Sequence, residues 1–101
     1  MANKQELSDS FDRQSEALPS CCQGAGGPLG DACLGVSGRR MILANRVSDW
    51  HRLADESPTY DPVIAELDAS SDMLETADDC EGAVDAAMAA LDGVEALLDA
   101  A

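Results

Sequence analysis

A chain of 101 residues carrying 20 acidic against 6 basic side chains, a formal charge of −14 and a pI near 4.1 has the size of one domain. That charge excludes direct binding to nucleic acid or to an anionic membrane, which would both repel it, and turns attention to basic partners. No run approaches the roughly 18–20 apolar residues of a membrane span, and the start Met-Ala-Asn-Lys-Gln-Glu-Leu-Ser lacks a signal-peptide core, so a cytoplasmic location is expected.

Residues 4–18 are expected to form a first helix, with Leu7, Phe11 and Leu18 on one side and Pro19 as its stop. Residues 20–38 hold six of the eight glycines and first suggest a flexible loop. Yet Leu29, Cys33, Val36, Leu43, Val47, Trp50 and Ala54 fit one helical stripe, and Pro28 suits a first helical position. Loop and helix both remain open for this stretch, and the central helix is firm only from Arg39 to about Glu56. Ser57-Pro58-Thr59-Tyr60-Asp61-Pro62 is a break, in which Asp61 is the expected N-cap and Pro62 the first residue of the next helix. That helix is expected to reach about Asp79, with Val63, Ile64, Leu67, Leu74 and Ala77 facing inward. Gly82 marks a turn before a last helix over about 81–100, whose inner face is Val84, Ala87, Met88, Leu91, Val94 and Leu98. No stretch reads as a strand. The expected fold is all-α, a compact bundle of three to four helices in one domain, 1–101. It comprises an N-terminal helix with a Gly/Cys-rich connection (1–27), a central helix (28–56) and an acidic amphipathic helical pair (61–101).

The charge is unevenly placed. Asp55 to Ala101 contains fourteen acids and no Lys or Arg, where average composition would supply about five or six bases. The first 54 residues are neutral, with six bases (Lys4, Arg13, Arg39, Arg40, Arg46, Arg52) against Glu6, Asp9, Asp12, Glu16, Asp31 and Asp49. Asp68, Asp72, Glu75 and Asp79 share one helix face, and Glu81, Asp85, Asp92, Glu95 and Asp99 share another, so the wet sides of both helices read as almost purely anionic. Ordinary solvated helices mix signs, because Glu–Lys pairs stabilise and like pairs destabilise by about 0.2–0.5 kcal/mol. A plain solubility face is the unremarkable explanation. The sharper one is an array of carboxylates, Glu66, Asp68, Asp72, Glu75, Asp78, Asp79, Glu81, Asp85, Asp92, Glu95 and Asp99, that occupies a basic groove on a partner.

Catalytic and metal chemistry find little purchase. Cys21, Cys22, Cys33, Cys80 and His51 could supply four zinc ligands, but the spacing matches no standard knuckle and no CxxC is present. With a cytoplasmic location the cysteines are expected to be reduced, buried or loose thiols. His51 stands four residues before Asp55 and suits a surface ion pair better than a catalytic dyad. The glycine-rich stretch lacks the Gly-Lys-Ser/Thr of a phosphate loop, and no Asp-x-Asp-x-Asp-Gly calcium loop occurs. No enzyme, metal or cofactor is expected.

In charge design alone, residues 55–101 resemble the small acidic inhibitors that phages and mobile elements direct against host DNA-binding machinery, the anti-restriction and anti-CRISPR proteins. The resemblance carries no shared motif. It implies a stoichiometric, non-enzymatic DNA mimic acting in the host-cell cytoplasm on a basic nucleic-acid-binding complex. The alternative, from another class, is a small acidic helical chaperone or adaptor for a single client protein.

Overall fold

The computed structural model describes residues 1–49, 53–76 and 78–100. Trp50 and Ala77, assigned above to apolar stripes, and His51 with its expected contact to Asp55, lie outside the described residues. Four long helices make the bundle: α1 (Lys4–Ala17), α3 (Gly27–Asp49), α4 (Tyr60–Thr76) and α5 (Cys80–Ala100). A single-turn helix, α2 (Pro19–Cys22), joins α1 to α3, and two short strands, β1 (Ala2–Asn3) and β2 (Glu56–Ser57), pair antiparallel at one end. The all-α bundle expected from the sequence is the architecture found.

α1 packs on α4, α4 on α5, α5 on α3, and α3 back on α1. The chain is thus two helical hairpins, and the second lies along the first with α3 parallel to α5. The core takes Leu7 and Phe11 from α1, Val36 and Leu43 from α3, Tyr60, Leu67 and Leu74 from α4, and Val84, Leu91, Val94 and Leu98 from α5, all at most 2% exposed. With one Phe and one Tyr in that set, bulk is short. Small residues on α5 (Ala83, Ala87, Ala90) let the helices come close enough to exclude water instead.

Several boundaries depart from the sequence reading. Asn3 caps α1 with a capping box, its side chain accepting from Glu6 N at 2.8 Å while Glu6 accepts from Asn3 N. α1 stops at Ala17 with Leu18 as its C-cap, as expected from Pro19, but Leu18 keeps a right-handed helical conformation and Pro19 at once opens the short α2 as its first residue. The glycine-rich stretch divides. Gly24 and Gly27 adopt positive φ (77° and 62°), a turn that side chains disfavour, and α3 begins there. The helix expected to run to Glu56 does not reach it. Glu56 sits in β2, Asp55 O accepts from Lys4 N at 2.9 Å, and the Tyr60 hydroxyl donates to Ala54 O. These bonds engage backbone groups of 54–56 that a continued helix would use. The two strands are a second correction, since no strand was expected. Asp61 is not the N-cap either: α4 starts at Tyr60, and the Asp61 carboxylate accepts from Ala2 N, fastening the N-terminus to the second hairpin.

The cysteines correct the expectation of free thiols. Cys21 is bonded to Cys80 and Cys22 to Cys33, and no cysteine is free. Both bridges start on α2. One ties it to the first residue of α5, 59 positions away, and the other to α3, 11 positions away. Adjacency in sequence hides this pairing, because a single turn between two helices aims the neighbouring side chains of Cys21 and Cys22 at different partners.

Candidate partner-binding surface

Ten of the eleven carboxylates divide into two groups once the helices are assembled, and Glu66 belongs to neither. Arg13 of α1 lies across α4, bonded to Asp72 and 3.6 Å from Asp68. Arg39 of α3 lies across α5, donating to both Asp92 and Glu95, with Nη1 also 3.3 Å from the Met88 sulfur. Arg46, two turns further on, meets Asp99 at 3.1 Å. Each Arg–Asp pair on α3 and α5 is separated by 53 residues, the constant offset of two parallel helices in register. Asp68, Asp72, Asp92, Glu95 and Asp99 are therefore ion-paired within the chain. The expectation of wet faces almost purely anionic fails for them, because long arginine side chains from the neutral half lie along the helix seams with their stems half-buried.

The electrostatics follow. Arg13 is held above its ordinary pKa first by the hydrogen bond to Asp72, then by the charges of Asp72, Asp68 and Glu75. Arg39 is raised likewise, chiefly by its hydrogen bonds to Glu95 and Asp92. All of these carboxylates remain substantially exposed, so each pair is a modest contributor. Together they staple α1 to α4 and α3 to α5.

A second group makes no ion pair in this stapling, although the charge of Glu75 is felt by Arg13. Glu75 lies in the last turn of α4, Asp78 and Asp79 lie in the connection, and Glu81 and Asp85 lie in the first two turns of α5. All five are exposed, and none has an ion pair among the described residues. Asp79 has a local duty, since its carboxylate accepts from Gly82 N at 3.1 Å and caps α5. A Cβ on Gly82 would stand 2.5 Å from that carboxylate, so Gly82 sits inside the first turn and makes room for the cap rather than marking a turn before the helix. The helix expected to reach about Asp79 is α4, which has its last residue at Thr76; Asp78 and Asp79 instead precede the positive end of α5, where anions are favoured. Glu66, halfway along α4, arches over α5 at Gly93 and stands apart from this end. Glu81 and Asp85 also border a small cleft with Pro28, Leu29 and Ala32 at the start of α3.

Sequence reasoning missed the arginines as part of this surface. A signal was present: Arg39 and Arg46 are seven apart, as are Asp92 and Asp99. It also missed Gln14, fully buried between α1, α4 and α5, whose Nε2 donates to Ser70 Oγ (3.2 Å) and Ala87 O (3.4 Å). Among the described residues no His, Cys, Asp and Glu grouping could hold a metal ion, and no helix is long and apolar enough to cross a membrane. No family model, curated protein or solved structure matches this chain.

Proposed function

We propose that the protein is a non-enzymatic binder of a basic partner, and that it engages that partner through the carboxylates at the α4–α5 end, Glu75, Asp78, Glu81 and Asp85. The observation that carries this reading is the division of the acids: bundle packing consumes the long stripes and leaves this end anionic and exposed. Cys21–Cys80 fastens α2 to the first residue of α5, so the end is held rather than frayed. A preorganised cluster of this kind steers a lysine- and arginine-rich surface and speeds its association. The partner's natural ligand would be a polyanion, and the protein would compete with nucleic acid for it, as a DNA mimic does. Two disulfides belong with an oxidising environment, so we place its action there rather than in the reducing cytoplasm expected from the sequence.

Zero-length carbodiimide cross-linking of the protein to the partner captured with it, read by mass spectrometry, tests this. The reading requires amide links from Glu75, Asp78, Glu81 or Asp85 to partner lysines. Links confined to Glu6, Asp9, Asp12 and Glu16 on α1 would overturn it.

A further inference from the structure

Helix α3 is apolar on two sides and covered on one. Cys33, Val36, Leu43 and Val47 face the core, while Leu34, Met41 and Ile42 are 74%, 56% and 64% exposed on the opposite side. The spacing i, i+7, i+8 makes these three one stripe. A second apolar stripe on a helix is an exposed patch that suits a second partner, and within the chain α1 and α5 pack against the first stripe only. Gly38 stands in the middle of the stripe, one turn from Leu34 and one from Ile42. It is exposed, and nothing lies within 4 Å of where a Cβ would be. A mid-helix glycine costs roughly 1 kcal/mol against alanine. Here it serves no packing inside the chain, but it leaves a notch where a second backbone can approach.

Beside the notch runs a groove of about 700 Å³, bordered by Leu18, Pro19, Cys22, Cys33 and Gly30, with Leu34 on its rim. Leu34 thus joins the exposed stripe to the mouth of a groove that runs along the side of the same helix. Two copies whose α3 helices cross antiparallel at Gly38 set Met41 and Ile42 of one against Leu34 and the groove mouth of the other, and the reverse contact forms by the same rotation. That self-complementarity is what an isologous interface requires. Charge selects the occupant. α4 and α5 each carry five acids and no base, and α1 carries four acids against two bases, whereas the stripe Leu34, Gly38, Met41 and Ile42 on α3 holds no charge, the neighbouring Arg39 and Arg46 being taken up by acids of α5. Two molecules of charge −14 meet with least repulsion on α3, and a basic partner is drawn to the other helices instead. We infer that the outer face of α3, Leu34, Gly38, Met41 and Ile42, is the interface of a homodimer. This inference does not rest on the function proposed for the α4–α5 end.

Sedimentation equilibrium of the oxidised full chain, up to about 0.2 mM protein, tests it. A concentration-dependent dimer is expected. It should tighten by about tenfold between low and roughly 0.5 M NaCl, because salt screens the repulsion between copies and spares apolar burial. Ile42→Glu, at a position open in the monomer, should weaken the dimer at least about tenfold with an unchanged helical circular-dichroism spectrum. Gly38→Gln separates interface from fold: the monomer should melt at the same temperature or higher, since glutamine is the better helix former, while the dimer weakens. A wild-type chain that stays monomeric throughout, leaving the face to a client segment of another protein, overturns the inference. So do both variants dimerising as wild type does.

Discussion

The guanidinium of Arg39 on α3 is hydrogen-bonded to the carboxylate of Glu95 on α5, 56 residues on, and its other terminal nitrogen holds Asp92. One cation from the neutral half of the chain thus joins two acids of the acidic half across a helix seam. Arg39→Gln keeps much of the side-chain volume and removes the charge. The carboxylates are about half exposed, at 62% and 43%, so the expected loss is limited to about 0.5–1 kcal/mol, a few degrees in melting temperature. The loss should be greatest at low ionic strength. A variant melting with wild type in dilute buffer would show that the seam contributes nothing.

Much of the fold could be read from the sequence, and the reason is periodicity. Leu7 and Phe11, Val36 and Leu43, Leu67 and Leu74, and Leu91 and Leu98 are all buried where the helical stripes place them. The acidic surface was legible as a composition and not as a geometry. Whether Asp92 faces water or Arg39 depends on which helix lies beside α5, and one helix's own periodicity does not contain its neighbour. The disulfides were hidden for a related reason, since pairing Cys21 with Cys80 requires the second hairpin to lie along the first. Gln14 illustrates the remainder: on α1 it reads as a surface polar residue, yet it is fully buried against Ser70 and Ala87.

Cys21–Cys80 and Cys22–Cys33 close loops of 59 and 11 positions, and loop-closure entropy assigns them about 4 and about 3 kcal/mol respectively. Cys21→Ser with Cys80→Ser should therefore lower stability by more than Cys22→Ser with Cys33→Ser. Reduction of the wild type should lower its melting temperature by more than either pair alone. Chemical denaturation of the oxidised and reduced wild type and of the two double variants checks this, and equal midpoints for oxidised and reduced protein would contradict the pairing.

Tyr60, 1% exposed, donates its hydroxyl to Ala54 O and closes the chain reversal before α4. Its pKa is raised above the ordinary value of 10.0, first by burial and then by the charge of Asp55. The folded state thus holds the phenol proton more tightly than the unfolded state does. The corresponding stability is intact below pH 10 and is lost as pH rises through and beyond that value. Melting temperature should fall on that alkaline limb. Tyr60→Phe should be less stable at neutral pH, having lost the hydrogen bond, and should fall less steeply there. An unchanged alkaline slope in Tyr60→Phe would assign the effect to other groups.

In the function we propose, the α4–α5 end, and not bulk charge, takes the basic partner. The most direct measurement compares two variants that each lose four carboxylates, by titration calorimetry with a lysine- and arginine-rich peptide of about twenty residues as the probe. One is Glu75→Gln, Asp78→Asn, Glu81→Gln, Asp85→Asn, which leaves the arginine seams and the Asp79 cap intact. The other is Glu6→Gln, Asp9→Asn, Asp12→Asn, Glu16→Gln on α1, where glutamine still serves the capping box. Their formal charges are equal, so non-specific attraction is equal. The account predicts that the first variant binds at least about tenfold more weakly than the second, with a shallower dependence on salt. Equal affinities for the two variants would contradict it and leave the acids as a solvated surface.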